Sequence, residues 1–181
     1  MNLYLITILT LLISFTLFHL WIQWLNLQAL DPEIPEEFKG VYDAEKYARS
    51  QEYLRENTRV DLVTSFIKTT VLIAFILLGG FRFLYERSAQ LSDALILQGL
   101  IFAGYLLLIN SLWGLPFQIY DTFVIEEKFG FNKTTLKTFF LDKVKGWLLG
   151  GLLGGGLLAL IVWIYESTGE WFWLIAWGVL T

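Results

Sequence analysis

The first 30 residues of this 181-residue chain contain no Asp, Glu, Lys or Arg. A bilayer core is about 30 Å thick and takes about 20 helical residues to cross. The run is therefore long enough to span. Leu62–Phe81 is a second such run, broken only by Lys68. Ala94–Tyr120 and Gly146–Tyr165 are charge-free. A fifth apolar run opens at Trp171 and reaches Thr181. Its helical rise is roughly 16 Å, about half a crossing. The expectation is four complete spans, 3–30, 62–81, 94–118 and 146–165, with an incomplete fifth, 171–181, and a natural polypeptide that continues. The fold class expected is an all-α integral membrane bundle.

Composition agrees. The chain is 56% hydrophobic and 17% charged, against about 25% charged in an ordinary soluble domain. A soluble fold of this size has too little interior for so much apolar surface. Net charge is −4, which supplies no field to attract nucleic acid. The chain has no cysteine and one histidine, His19. A thiol nucleophile, a thiolate metal site and an H-E-x-x-H zinc helix are all excluded, because a catalytic zinc takes about three protein ligands. No catalytic, cofactor or metal residue is assigned. The first run does not read as a secretory signal, since it lacks a basic start and a small-residue cleavage site.

Lys and Arg set the expected orientation. Lys39, Lys46, Arg49, Arg55 and Arg59 follow the first run, and Lys128, Lys133, Lys137, Lys143 and Lys145 follow the third. The positive-inside rule places connectors 31–61 and 119–145 in the cytoplasm and the N-terminus outside, in a bacterial inner membrane or an ER-type membrane.

In the first connector, Pro32 and Pro35 end the first helix. A helical pattern runs from Val41 to Asn57, with Glu45–Arg49 and Glu52–Arg55 spaced to pair. Thr58-Arg59-Val60-Asp61 has the form of a capping box opening the second span. In the second connector, Gly130 suits a positive-φ helix end, and Asn132 or Thr134 suits the next cap. Leu136, Phe139, Phe140, Val144 and Trp147 recur at helical spacing, an amphipathic helix leading into span four.

Several polar groups fall inside the apolar runs. His19 is expected to bond to another helix or to face water. Lys68 either snorkels to the interface or lines a wet space. Asn110, Gln98, Gln118, Gln23 and Asn26 add to this set. Lys68 and Asn110 are the candidate chamber-lining residues. Gly146, Gly150 and Gly154, and Gly151 with Gly155, stand four apart, a spacing for close helix packing in lipid.

The run Leu115-Pro116-Phe117 to Tyr120, then Thr122-Phe123-Val124-Ile125-Glu126-Glu127-Lys128-Phe129-Gly130-Phe131-Asn132, Thr135, Phe139-Phe140, Asp142 and Lys145, resembles the N-terminal membrane region of the type 1 CAAX prenyl proteases. Tyr42, Tyr47-Ala48-Arg49-Ser50-Gln51 and Tyr53 are similar to the family's first cytoplasmic connector. These proteins are integral membrane zinc metalloendopeptidases. The resemblance implies a chamber-wall scaffold whose partners are the lipid bilayer, a C-terminal protease domain of the same protein, and membrane or prenylated protein substrates. Zinc is implied for the full-length protein only. Glu126, Glu127, Asn132, Asp142 and Lys145 become candidates for the interface with the catalytic domain. A stand-alone membrane scaffold, a partner subunit and a small transporter are the alternatives.

Overall fold

The computed structural model describes residues 2–38 and 40–180. Lys39 and Thr181, both used in the readings above, lie outside them. Seven α-helices follow one another: α1 Leu3–Ala29, α2 Ala44–Leu77, α3 Gly80–Leu91, α4 Leu95–Tyr120, α5 Glu127–Phe129, α6 Leu136–Thr168 and α7 Phe172–Leu180. A π-helical segment, Asp121–Glu126, joins α4 to α5. No strand forms among the described residues. Among the described residues four helices are long and apolar enough to cross a membrane, and their Leu, Phe and Trp side chains are largely exposed. In lipid that exposure costs nothing, and helices satisfy every backbone group internally.

The chain divides into two compact units. One holds the residues up to Leu78 together with Pro116–Lys133, and the other holds Gly79–Leu115 together with the residues from Thr134 onward.

In the first unit, α1 begins where the Asn2 side chain accepts from the Leu5 amide at 2.9 Å. It stops at Ala29, two residues before Asp31-Pro32. Its end is covered by Arg55, whose Nη2 donates to the Leu30 carbonyl at 3.0 Å. A cation there satisfies an orphan carbonyl and suits the negative end of the helix dipole. The capping box expected at Thr58 does not form. Asp43 caps α2 instead, accepting from the Glu45 and Lys46 amides, and the helix runs on through Thr58 without a break. Nothing between Ala44 and Leu77 opposes helix, so a cap signal in mid-run has no free amides to act on. Gly79 at φ +77° ends this rod, in the left-handed region where glycine avoids the Cβ clash.

The second unit contains α3, most of α4, α6 and α7. Residues 80–91, which run from the end of the second expected span into the gap before the third, are helix α3, with Leu84 and Ser88 buried. Thr135, rather than Asn132 or Thr134, caps α6 by accepting from the Thr138 amide at 3.2 Å. The Trp147 indole donates to Ser111 Oγ at 2.7 Å, joining α6 to α4. The glycine spacing is used only in part. A Cβ on Gly155 would meet Leu100 at 3.8 Å, whereas Gly146, Gly150, Gly151 and Gly154 have nothing within 4 Å. Gly150, Gly151 and Gly154 line an apolar groove between α4 and α6, not a tight helix contact.

Candidate functional site

The unusual segment from Phe123 to Asn132 folds onto the polar half of α2. Pro116 lies inside α4, where it removes one main-chain donor. The π segment begins at Asp121, and its extra residue per turn resets which side chains face α2. Ile125 and Phe129, one turn apart, become the two most buried apolar groups of the segment, at 2% and 5% exposure. Each such burial contributes roughly 1.5–3 kcal/mol.

Gly130, at φ +78°, then reverses the chain, with its amide on the Glu127 carbonyl. The Phe131 amide donates to the Glu126 carbonyl at 2.8 Å. This brings Phe131 back beside Phe129, and Tyr53 of α2 meets both rings edge-on, at centroid distances of 4.9 and 5.3 Å. Edge-to-face contacts of this kind contribute about 0.5–1.5 kcal/mol beyond burial.

Charge fastens the same elbow. Arg49 Nη2 donates to the Phe129 carbonyl at 3.1 Å. The Lys128 ammonium hydrogen-bonds Glu56 and, at 3.3 Å, Glu52. Those two bonds, Glu56 first, hold the Lys128 ammonium above its ordinary value. The local pairs expected from spacing, Glu45–Arg49 and Glu52–Arg55, are thus replaced by partners elsewhere. Arg49 and Arg55 both serve main-chain carbonyls, and Glu52 serves Lys128.

Toward the apolar half of α2, α1 and α2 share a polar cluster. Asp61 Oδ2 lies 3.3 Å from His19 Nε2 and accepts from Gln23 Nε2 at 3.2 Å. Ser65 donates to Asp61 Oδ1 at 3.4 Å. Two turns along, Thr16 and Thr69 hydroxyls meet at 3.2 Å. His19 therefore bonds across helices, as its place in an apolar run requires. Asp61 was read only as part of a cap. Its role was legible in two spacings: His19 and Gln23 are i,i+4 on α1, and Asp61, Thr64 and Lys68 are i, i+3, i+7 on α2.

Beside this cluster lies a cavity of about 410 Å³, lined by Thr64, Lys68, Phe117 and Asp121 among others. Lys68 Nζ sits 5.6 Å from the Phe117 ring centroid.

The residues singled out from sequence separate into two groups. Glu126, Glu127 and Asn132 are together in the elbow, where the Asn132 amide donates to Glu127 Oε2 at 2.9 Å. Asp142 and Lys145 lie in the other unit and pair with each other at 3.4 Å on α6. Lys68 lines the cavity just described. Asn110 is an exposed residue of α4 in the second unit.

No group of three His, Cys, Asp or Glu side chains among the described residues could hold a metal ion. The one histidine is committed to Asp61. The residues present do not fit a zinc site, so no chemistry is assigned to a metal here.

The fold and its polar elbow define a multi-span α-helical integral membrane protein without a metal centre of its own among the described residues. The family model of the CAAX prenyl protease N-terminal region, described as five membrane helices, matches residues 23–181. The chain belongs to this family. It is 32% identical over 160 residues to a CAAX prenyl protease 1 homolog of Oryza sativa subsp. japonica, covering 82% of this chain and 37% of that protein. It is 28% identical over 182 residues to the homolog of Arabidopsis thaliana, covering 96% and 43%. Among solved structures, S. mikatae Ste24p is similar, with a TM-score of 0.88 and 27% identity over 97% of this chain and 43% of that one. The chain thus spans about two-fifths of the length of these relatives.

Proposed function

We propose that this chain is the chamber wall of a CAAX-type membrane zinc metalloendopeptidase. The H-E-x-x-H helix and the zinc belong to a separate region of the same protein, and the chain alone is inactive. The observation that supports this reading best is the elbow. The segment Phe123–Asn132, on which the family likeness rests, is held to α2 by burial, aromatic contacts and ion pairs together. Connectors 31–61 and 119–145 face the cytoplasm, and the N-terminus faces outward. Glu126, Glu127 and Asn132 in the elbow, and separately Asp142 and Lys145 on α6, contact the catalytic domain. Lys68 and Asn110 line the chamber, and the substrates are membrane or prenylated proteins.

The coding sequence beyond codon 181 is the first test. An H-E-x-x-H within the next hundred or so codons is expected, and a stop codon directly after Thr181 overturns the reading. The second test is Ala substitution at Glu126 and Asn132 in the full-length protein. Reduced proteolysis is expected. Unchanged folding, zinc content and proteolysis would sink the assigned role of the elbow.

A further inference from the structure

The cavity beside α2 holds charges of both signs that the protein leaves unmatched. Lys68 makes no ion pair among the described residues, and its ammonium rests only over the Phe117 ring. Asp121 is part-buried and has neither an ion pair nor a hydrogen bond among them. Thr64 is 8% exposed, lines the same cavity, and has no hydrogen-bond partner among the described residues. Ionisable groups within or beside an apolar span cost free energy unless they meet a partner or a water-filled space. Asp61, by contrast, is already matched by His19, Gln23 and Ser65.

The two unmatched charges come from different elements, Lys68 from α2 and Asp121 from the start of the π segment. Phe117 and Asp121 are i,i+4 where α4 enters the π segment, about one turn or 5.4 Å apart along the axis. Lys68 sits over Phe117, so a positive and a negative group line one cavity without forming an ion pair. Neither a simple anion nor a simple cation answers both. A zwitterion carrying its charges a few ångströms apart does.

We infer that this cavity binds a zwitterionic phospholipid headgroup, a phosphate on Lys68 and a primary ammonium on Asp121, as in phosphatidylethanolamine. A lipid is favoured over a soluble zwitterion because Lys68 is exposed and lies within the apolar run Leu62–Phe81, at membrane depth. The primary ammonium is favoured over choline because Asp121 and Thr64 accept hydrogen bonds that a trimethylated nitrogen cannot donate. An added carboxylate, as in phosphatidylserine, would face the acidic side of the cavity.

The test is native mass spectrometry of the protein released from nanodiscs containing equal amounts of phosphatidylethanolamine, phosphatidylcholine, phosphatidylglycerol and phosphatidylserine. Retention of the ethanolamine lipid about tenfold above the others is expected, one charge-assisted hydrogen bond's worth of selectivity. D121N is expected to abolish the preference over phosphatidylglycerol, and K68Q to lower retention of every phospholipid. D121E and K68R are expected to preserve binding, with folding checked by circular dichroism. Equal retention of all four lipids by the wild type overturns the proposal, whatever the variants do. So does displacement of the lipid by millimolar glycerophosphoserine as readily as by glycerophosphoethanolamine, or retention unchanged in folded D121N and K68Q.

Discussion

Arg49 and Phe129 are 80 positions apart in sequence and joined by a single hydrogen bond, guanidinium Nη2 to main-chain carbonyl, at 3.1 Å. The bond reaches the last carbonyl before the Gly130 reversal. It therefore satisfies an acceptor that the helix itself has abandoned, and it ties α2 to the elbow at the point where the chain turns.

Replacing Arg49 by Met keeps the aliphatic stem and removes the donors. The variant is expected to lose roughly 1.5–3 kcal/mol of stability, the range for hydrogen bonds to charged groups. Amides 127–132 are expected to exchange faster with solvent deuterium. Unchanged exchange in that segment would show that the bond carries no weight.

Tyr53 tests the aromatic part of the same contact. Tyr53→Leu removes two edge-to-face partners at once and should cost about 1–3 kcal/mol. Tyr53→Phe keeps both ring contacts and should be close to neutral. Thermal unfolding in detergent distinguishes them. Equal melting temperatures for the Leu and Phe variants would contradict the geometry.

Glycine substitutions should divide by backbone angle rather than by position in the family motif. Gly130→Ala and Gly79→Ala place a Cβ at φ +78° and +77°, and each should cost about 1–2 kcal/mol. Gly150→Ala and Gly154→Ala add a methyl to open space and gain helix propensity, about 1 kcal/mol per residue. They should be neutral or stabilising in this chain. A destabilised Gly154→Ala would mean that the apolar groove holds something.

The Lys128 contacts carry a pH signature. The folded-state ammonium titrates above its ordinary 10.5 because Glu56 and Glu52 accept its hydrogen bonds. A raised value contributes stability that is complete below 10.5 and is lost as pH rises through the folded value. Protection of amides 127–132 should accordingly be flat from pH 7 to 10 and fall beyond it. Lys128→Met should have lower protection at neutral pH and lack the alkaline drop. An alkaline drop of the same size in Lys128→Met would assign it to another group.

The four apolar helices were legible because charge is excluded from lipid, and that exclusion is written directly in the residue order. Gly130 was legible for a similarly local reason, since a single residue type tolerates its angle. The cap at Thr58 misled because a capping box is a local pattern, and the actual start of α2 was decided by Asp43, fifteen positions earlier. The partners of Arg49, Arg55 and Lys128 were beyond sequence reasoning. Spacing proposes neighbours within a turn, whereas those cations found carbonyls and carboxylates on other elements. The polar stripe Asp61–Thr64–Lys68 is legible in its spacing, although its first member also matches a cap motif.

The unbroken course of α2 gives the elbow a mechanical meaning. Its 34 residues, at about 1.5 Å each, make a rod roughly 50 Å long, well over the hydrocarbon thickness. Arg49, Tyr53 and Glu56 grip the elbow near one end, and Asp61, Lys68 and Thr69 stand further along the same rod. With no proline or glycine between them, the rod has no hinge at which to bend. A push or tilt delivered at the elbow is therefore conveyed, turn for turn, to the His19–Asp61 pair and the lysine within the apolar stretch.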